Sequence, residues 1–395
     1  MELPGNAKRI TILGATGSVG ESVLSVINAQ PEKFQVFAVV AKASAEKLAR
    51  IAIQQKAKIA VLYDESQLPT LKAQLSGSGI VCAAGAQAVQ DVAAETVDLV
   101  VAAIVGAAGI RPTWAALAAG NQIALANKEC LVSAGELFTK EARRQNIPIL
   151  PVDSEHNAIW QVFESEQKKS IEAVTLTASG GPFRTWSAEQ ISNATARQAL
   201  NHPNWSMGAK VTIDSASLMN KGLELIEAKY LFDLEANQLR VAVHPQSIIH
   251  GFVHYADGSV LAQLGCADMR VPIACCLNWP SRGPSPADKL DLATMSALTF
   301  EEADLNRFPC LKLAHDAMIG GAALTNALNA ANEIAVEAFL DGKIRFSGIP
   351  QIVANVLDDV SGGSSVLDFR NVEEALECDL EARDRALTYV INSAH

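Results

Sequence analysis

The chain is poor in aromatic residues, 5% of its 395 positions, and poor in positive charge. Its 32 Lys and Arg stand against 43 Asp and Glu, a formal net charge of −11. That balance excludes a broad nucleic-acid surface, which needs a basic face, but not a local basic pocket for a small anion. No apolar run reaches the roughly 20 residues that span a bilayer; the longest covers residues 99–110. The first residues, Met1-Glu2-Leu3-Pro4-Gly5, lack a basic segment followed by an apolar one, so no secretory leader is expected. The seven cysteines form no CxxC pair; Cys275 and Cys276 are adjacent and the others scattered. They read as reduced thiols of a cytoplasmic protein, most of them small buried apolar groups.

Hydrophobic residues make up 49% and charged residues 19%, enough to fill sizeable cores in two or three domains of about 150 residues. Residues 8–152 alternate β-branched apolar runs (10–13, 36–41, 59–63, 79–83, 98–104, 122–126, 148–152) with helical patterns such as 18–29, 45–55, 112–119 and 135–145. This predicts a Rossmann-like α/β domain with a doubly wound parallel sheet over residues 1–152. Alternating runs at 171–178 and 240–264, with Asp257-Gly258 as a hairpin turn, predict an α+β domain with a largely antiparallel sheet over 153–282. A stretch rich in Pro, Ser and Gly makes 283–308 a linker. Helical periodicity at 311–318, 322–340, 349–360 and 372–391 predicts a helical bundle over 309–395.

The first strand runs into Gly14-Ala15-Thr16-Gly17-Ser18-Val19-Gly20, followed by a helix. Glycines in that setting let the backbone approach a pyrophosphate. An NAD site places an acid about 20 residues on, at the ribose 2′-hydroxyl. Here no acid lies between Lys33 and Ala45; the strand ends Ala41-Lys42-Ala43-Ser44. Lys42 and Ser44 suit a 2′-phosphate, so the expected cofactor is NADP(H). Asn127-Lys128-Glu129 follows another strand at the ligand-binding edge of the sheet, where Lys128 suits a phosphate or a carbonyl oxygen.

Asp153-Ser154-Glu155 follows the run 148–152. Read as extended chain, its two carboxylates face one way and suit a hard cation such as Mg²⁺ or Mn²⁺. Glu224 is a candidate third acid, on a helix expected to begin near Asp214-Ser215. Ser179-Gly180-Gly181, His202, Asn204, Ser215, Asn220 and Lys221 suit a phosphate cage. Trp205 and Met207 suit a flap or a core, and His244, His250 and His254 read as structural.

GATGSVG (14–20), AAIVGAAG (102–109), NKE (127–129), PVDSEH (151–156), SGGPF (179–183), HPNWSMG (202–208), DSASLMNKGLE (214–224) and HPQSIIH (244–250) stand in order along the chain. Together they closely resemble the 1-deoxy-D-xylulose 5-phosphate reductoisomerase family. The resemblance implies an oxidoreductase and isomerase of the non-mevalonate isoprenoid route. It would convert 1-deoxy-D-xylulose 5-phosphate to 2-C-methyl-D-erythritol 4-phosphate with NADPH and one Mg²⁺, Mn²⁺ or Co²⁺, as a homodimer. It implies Asp153, Glu155 and Glu224 as metal ligands. It implies substrate contacts at Lys128, Ser154, Glu155, Ser179, His202, Ser215, Asn220, Lys221 and Glu224, under a mobile loop with Trp205 and Met207. Cofactor contacts would fall on Thr16, Gly17, Ser18, Val19, Lys42, Asn127, Glu129 and Gly208, with Ala41 and Ala43 where the family commonly has Gly and Asn. Ala209 stands where a basic residue often follows the glycine. Either an α-ketol shift or retro-aldol and aldol steps would serve the rearrangement. Two rival readings are another two-domain NADP-dependent dehydrogenase, of the thiol-based aspartate-semialdehyde type with Cys130 as nucleophile or of the homoserine type, and a non-catalytic NADP-binding regulator.

Overall fold

The computed structural model describes residues 7–205, 207–295, 297–362 and 368–393. Met1–Gly5 and Ser206, both read above, lie outside the described residues. The chain divides into two compact units. The first comprises the residues up to Cys130, then Phe138–Asn157 and Asp268–Asp288; the second comprises Leu131–Leu137, Ala158–Ala267 and the residues from Lys289.

The first unit carries β1 (Lys8–Leu13), α1 (Ser18–Asn28), β2 (Phe34–Ala41), α2 (Ala45–Gln54), β3 (Ile59–Leu62), α3 (Leu68–Gln74) and β4 (Val81–Ala84). There follow α4 (Ala86–Ala94), β5 (Leu99–Ala102), α5 (Ile110–Ala118), β6 (Ile123–Leu125), α6 (Glu129–Gln145, of which Leu131–Leu137 belong to the second unit) and β7 (Ile149–Pro151). The strands form one sheet in the order β4-β3-β2-β1-β5-β6-β7, every ladder parallel. The central strands are buried along most of their length, with Ile10, Ile12, Val39 and Leu99 fully buried. Helices on both faces account for this, and for the lack of apolar alternation. The strand order reverses between β1 and β5, which opens a ligand crevice at their carboxyl ends.

Helix α6 starts earlier than the periodicity at 135–145 predicts. The Asn127 side chain accepts from the Cys130 amide at 2.9 Å and starts an additional turn. The two segments meet at a non-helical Ala134 (φ −148°), so the apolar period is interrupted where the sequence pattern begins.

After α7 (Ser154–Val162) the second unit carries β8 (Ile171–Ala178), the short α8 (Ala188–Ser192) and α9 (Ala196–Ala199), α10 (Ala209–Ala216), α11 (Met219–Phe232), β9 (Leu239–Val243), β10 (Ile249–Tyr255) and β11 (Val260–Leu264). Both short helices open with capping boxes, Ser187 with Gln190 and Thr195 with Gln198. The sheet order is β11-β10-β8-β9-β12, where β12 is Glu301–Glu302. One ladder, β8 with β9, is parallel and the other three are antiparallel. The parallel pair arises because α10 and α11 carry the chain back between the two strands, a crossover that a hairpin cannot provide. Asp257 accepts from the Ser259 amide at 2.8 Å in the expected β10–β11 turn.

Sequence order groups residues 268–282 with the segment before them. In the structure α12 (Arg270–Asn278) and the residues after it join the first unit. Lys8 Nζ donates to the carbonyls of Leu277 and Trp279 at 3.2 and 3.3 Å, and Gln30 donates to Pro284 O at 2.9 Å. The stretch read as a linker, 283–308, supplies edge strand β12. Helices α13 (Pro309–Gly320), α14 (Ala322–Leu340), α15 (Gly348–Ser361) and α16 (Val372–Ser393) then pack around α14. Phe339 and Phe346, ring centroids 5.4 Å apart, lie in a core with Leu328, Ile352 and Val353. Burying each such side chain contributes about 1.5–3 kcal/mol.

Candidate active site

In the first unit, the nucleotide loop is stapled to the second strand. The amides of Gly14 and Ala15 both donate to Val40 O, at 3.0 and 2.8 Å. Gly14 has φ +93°, and a Cβ there would lie 2.5 Å from Ala103 O, so only glycine turns the chain this close to β5. Gly17 caps α1; Gly17 and Ser18 are exposed, and Thr16 and Val19 partly so. Ala41 is buried at the end of β2, while Lys42, Ala43 and Ser44 are exposed. Ser44 occupies the N-cap of α2 without a side-chain capping bond. These positions all lie at the rim where a dinucleotide phosphate binds in this fold.

Asn127 spans the crevice. Its side-chain amide donates to Ile104 O and, at 3.0 Å, to Gly106 O. Gly109 leaves room for it, since a Cβ there would lie 2.7 Å from the Asn127 amide nitrogen. Glu129 is buried. Lys128 is no solvated surface charge: its side chain is 11% exposed, and Nζ lies 3.2 Å from Asp153 Oδ2. Asp153 is not part of an extended segment. It precedes α7, and its carboxylate accepts from the Glu155 amide at 3.3 Å, the habit of an N-cap residue. The expectation of an extended D-S-E is thus corrected, because Asp caps a helix more readily than it continues a strand. Ser154 Oγ donates to Glu155 Oε2 at 2.5 Å, and His156 Nδ1 stands 3.6 Å from Asp153 Oδ1.

In the second unit, Glu224 sits on α11 and is 1% exposed. Its two carboxylate oxygens accept from the Asn220 amide and the Lys221 ammonium, spaced four and three residues away on one helical face. The helix does not begin near Asp214. Asp214 and Ser215 close α10, and Leu218 takes a left-handed conformation (φ +58°) before α11 starts. Gly208 caps α10, so that helix connects the end of the preceding loop to Ser215.

His202 is the hub of that loop. Its Nδ1 accepts from the amides of Asn204 and Trp205, at 3.1 and 3.0 Å. The hydrogen therefore sits on Nε2, which donates to Ser179 Oγ at 3.1 Å. Ser179 Oγ also accepts from the Gly181 amide at 3.2 Å. Asn204 ties the loop to Pro245 O at 2.8 Å and to Ser247 Oγ at 3.2 Å. Trp205 and Met207 are half-buried. Burial pushes the His202 pKa below the ordinary histidine value. The neutral ring thus supports the loop above about pH 6.5, and that support is lost as pH falls through the lowered pKa. Trp205 fluorescence is expected to change in that acid range and to lose the transition in His202→Ala; a pH-independent signal would overturn the hub assignment.

Sequence reasoning missed Asp214. It is 1% exposed, accepts from Asn332 Nδ2 at 2.8 Å and pairs with Lys210 at 2.8 Å. The four-residue spacing of Lys210 and Asp214 is a visible signal; Asn332, 118 residues on, leaves none. His244 stacks on Phe300 with ring centroids 4.7 Å apart, and His254 bonds Thr175 Oγ1 at 2.9 Å.

Three family models match: the reductoisomerase domain over residues 10–135, and two of its C-terminal domains over 149–232 and 264–385. The 1-deoxy-D-xylulose 5-phosphate reductoisomerase of Bradyrhizobium diazoefficiens is 50% identical over 96% of this chain and 93% of its own. The chain belongs to the 1-deoxy-D-xylulose 5-phosphate reductoisomerase family. The reductoisomerase of Rhodopseudomonas palustris BisA53 is likewise 50% identical, over 96% of this chain and 94% of its own. Among solved structures, the reductoisomerase of Zymomonas mobilis in complex with NADPH has a TM-score of 0.91 at 44% identity, covering 97% of this chain and 99% of that one. A reductoisomerase in complex with NADPH, fosmidomycin and magnesium has a TM-score of 0.92 at 42% identity, covering 97% and 98%. As a member of this family the chain is an NADP-dependent oxidoreductase with an α/β fold. The thiol-based reading fails structurally as well: Cys130 is fully buried, where a nucleophile meets no substrate. All seven cysteines are free thiols. Among the described residues no helix is long and apolar enough to cross a membrane.

Proposed function

We propose that this protein converts 1-deoxy-D-xylulose 5-phosphate to 2-C-methyl-D-erythritol 4-phosphate, using NADPH and a divalent ion, as a step of the non-mevalonate isoprenoid route. One observation carries the reading furthest: a buried carboxylate, Glu224, shares a helical turn with Asn220 and Lys221. A metal-assisted reaction on a phosphorylated sugar needs an ion ligand and anion-binding groups in that proximity. Asp153, Glu155 and Glu224 are its proposed ligands. An oxygen-only donor set fits Mg²⁺ and, by the same hardness, Mn²⁺, with Co²⁺ a further alternative.

When bound, the ion polarises the ketone and acidifies its neighbouring hydroxyl, and NADPH supplies the hydride. The chain does the rest. Thr16, Gly17, Ser18, Val19, Ala41, Lys42 and Ala43 seat the nucleotide, with Asn127, Glu129 and Gly208. Ser179, His202, Ser215, Asn220 and Lys221 hold the phosphate. Lys128, near Asp153, and Ser154, which donates to Glu155, orient the sugar oxygens. Trp205 and Met207 cover the site and exclude water. Since Nδ1 of His202 is occupied by its own loop, its Nε2–H, which meets Ser179 Oγ in the structure, is the group that would turn to a phosphate oxygen.

NADPH consumption with 1-deoxy-D-xylulose 5-phosphate is the test. Turnover is expected with Mg²⁺ and none after EDTA; undiminished turnover after EDTA overturns the metal assignment. His202→Ala is expected to raise KM for the sugar phosphate about tenfold, as loss of a hydrogen bond to a charged group does, with little change in KM for NADPH. The reverse pattern moves His202 out of the substrate pocket. The protein is further proposed to work in the cytoplasm as a homodimer. Edge strand β11 supports this, exposing Val260, Leu261 and Leu264 beside unpaired backbone; sedimentation as a monomer would refute it.

A further inference from the structure

The nucleotide rim holds a cation that the reading of Lys42 and Ser44 leaves out. Lys47 lies in the first turn of α2. Its Nζ donates to Thr16 O in the glycine loop at 2.8 Å and pairs with Glu21 Oε1, from the first turn of α1, at 2.5 Å. The side chain is 38% exposed, so the ammonium is fixed over the loop by one carbonyl yet open to a ligand. The staple between Gly14, Ala15 and Val40 brings that loop against the end of β2. There Ala41 and Ala43 offer no side-chain donor, and no acid stands between Lys33 and Ala45.

In this fold the end of β2 reads the adenosine ribose: an acid selects a 2′-hydroxyl, a cation a 2′-phosphate. With alanines on both sides of Lys42, one cation would be left to make the distinction. We propose that Lys47 is a specificity-determining residue of the cofactor site, which binds the 2′-phosphate together with Lys42. Glu21 competes with the phosphate for the same ammonium. The inference rests on the NADPH reading above. It adds a residue and a competitor to it.

The test is titration of the full chain with NADPH and with NADH, comparing wild type, K47M, K47R and E21Q. K47M is expected to weaken NADPH about tenfold, the worth of one charge-assisted bond, and to leave NADH within about twofold. The NADPH loss should shrink at high salt. K47R should keep the preference. E21Q should tighten NADPH alone, because it frees the ammonium and removes a repelling charge. Equal weakening of both nucleotides by K47M overturns the proposal and leaves Lys47 a support of the loop; no change in either overturns it too. A wild-type protein that prefers NADH sinks the NADPH reading itself, a result distinct from either.

Discussion

Glu224→Gln is expected to cut turnover by about 100-fold or more at limiting Mg²⁺ while NADPH affinity stays within about twofold. The substitution keeps shape and removes charge. A neutral amide is a poor ligand for a hard dication, and Glu224 is not among the residues proposed to seat the nucleotide. The second consequence is local. Lys221 is 4% exposed and pairs with Glu224, so the variant keeps a buried ammonium without that counter-charge, which is costly. Stability should therefore fall as well. Circular dichroism at the assay temperature separates the effects: a folded, NADPH-binding, inactive protein is the expected outcome, partly rescued by excess Mg²⁺. Near-normal turnover at limiting Mg²⁺ would remove Glu224 from the ligand set.

Asp214→Ala is expected to lower unfolding stability by about 3 kcal/mol, read as a shift in urea midpoint at constant slope. The carboxylate is fully enclosed, Asn332 is 0% exposed, and Lys210 is the partly exposed partner at 21%. Removing Asp214 leaves the buried Asn332 amide without that acceptor. Asp214→Asn keeps an acceptor and should cost less. Because α10 carries both Ser215 and the end of the His202 loop, KM for the sugar phosphate should rise with the stability loss. A drop of less than about 0.5 kcal/mol, the scale of an unremarkable surface change, would show that the network carries no weight.

The parallel sheet was legible because each strand is a short apolar run between glycine or polar turns, and the C-terminal helices because their apolar period is unbroken. The weaker α3 and α4 are seven and nine residues long, and α4 is rich in alanine, so periodicity has little to act on. Local backbone choices were invisible. Nothing in Ser217-Leu218 announces a left-handed leucine, so two helices read as one. Asp153 carries the same letters whether it caps a helix or extends a strand. Long-range closure was invisible too: the return of 268–288 to the first unit depends on Lys8 and Gln30 reaching carbonyls more than 250 positions away. The candidate site was readable as residue types, whereas the Asp214–Asn332 bond and the Lys47 contact appear only in three dimensions.

The Asn127 amide has one last implication. By bonding Ile104, Gly106 and Cys130 together it makes the segments after β5 and β6 a single bracket, assembled before any nucleotide arrives. Docking of the dinucleotide there should involve little rearrangement of main chain, so less of its interaction energy is lost to ordering. A single side chain thus stiffens the crevice ahead of binding.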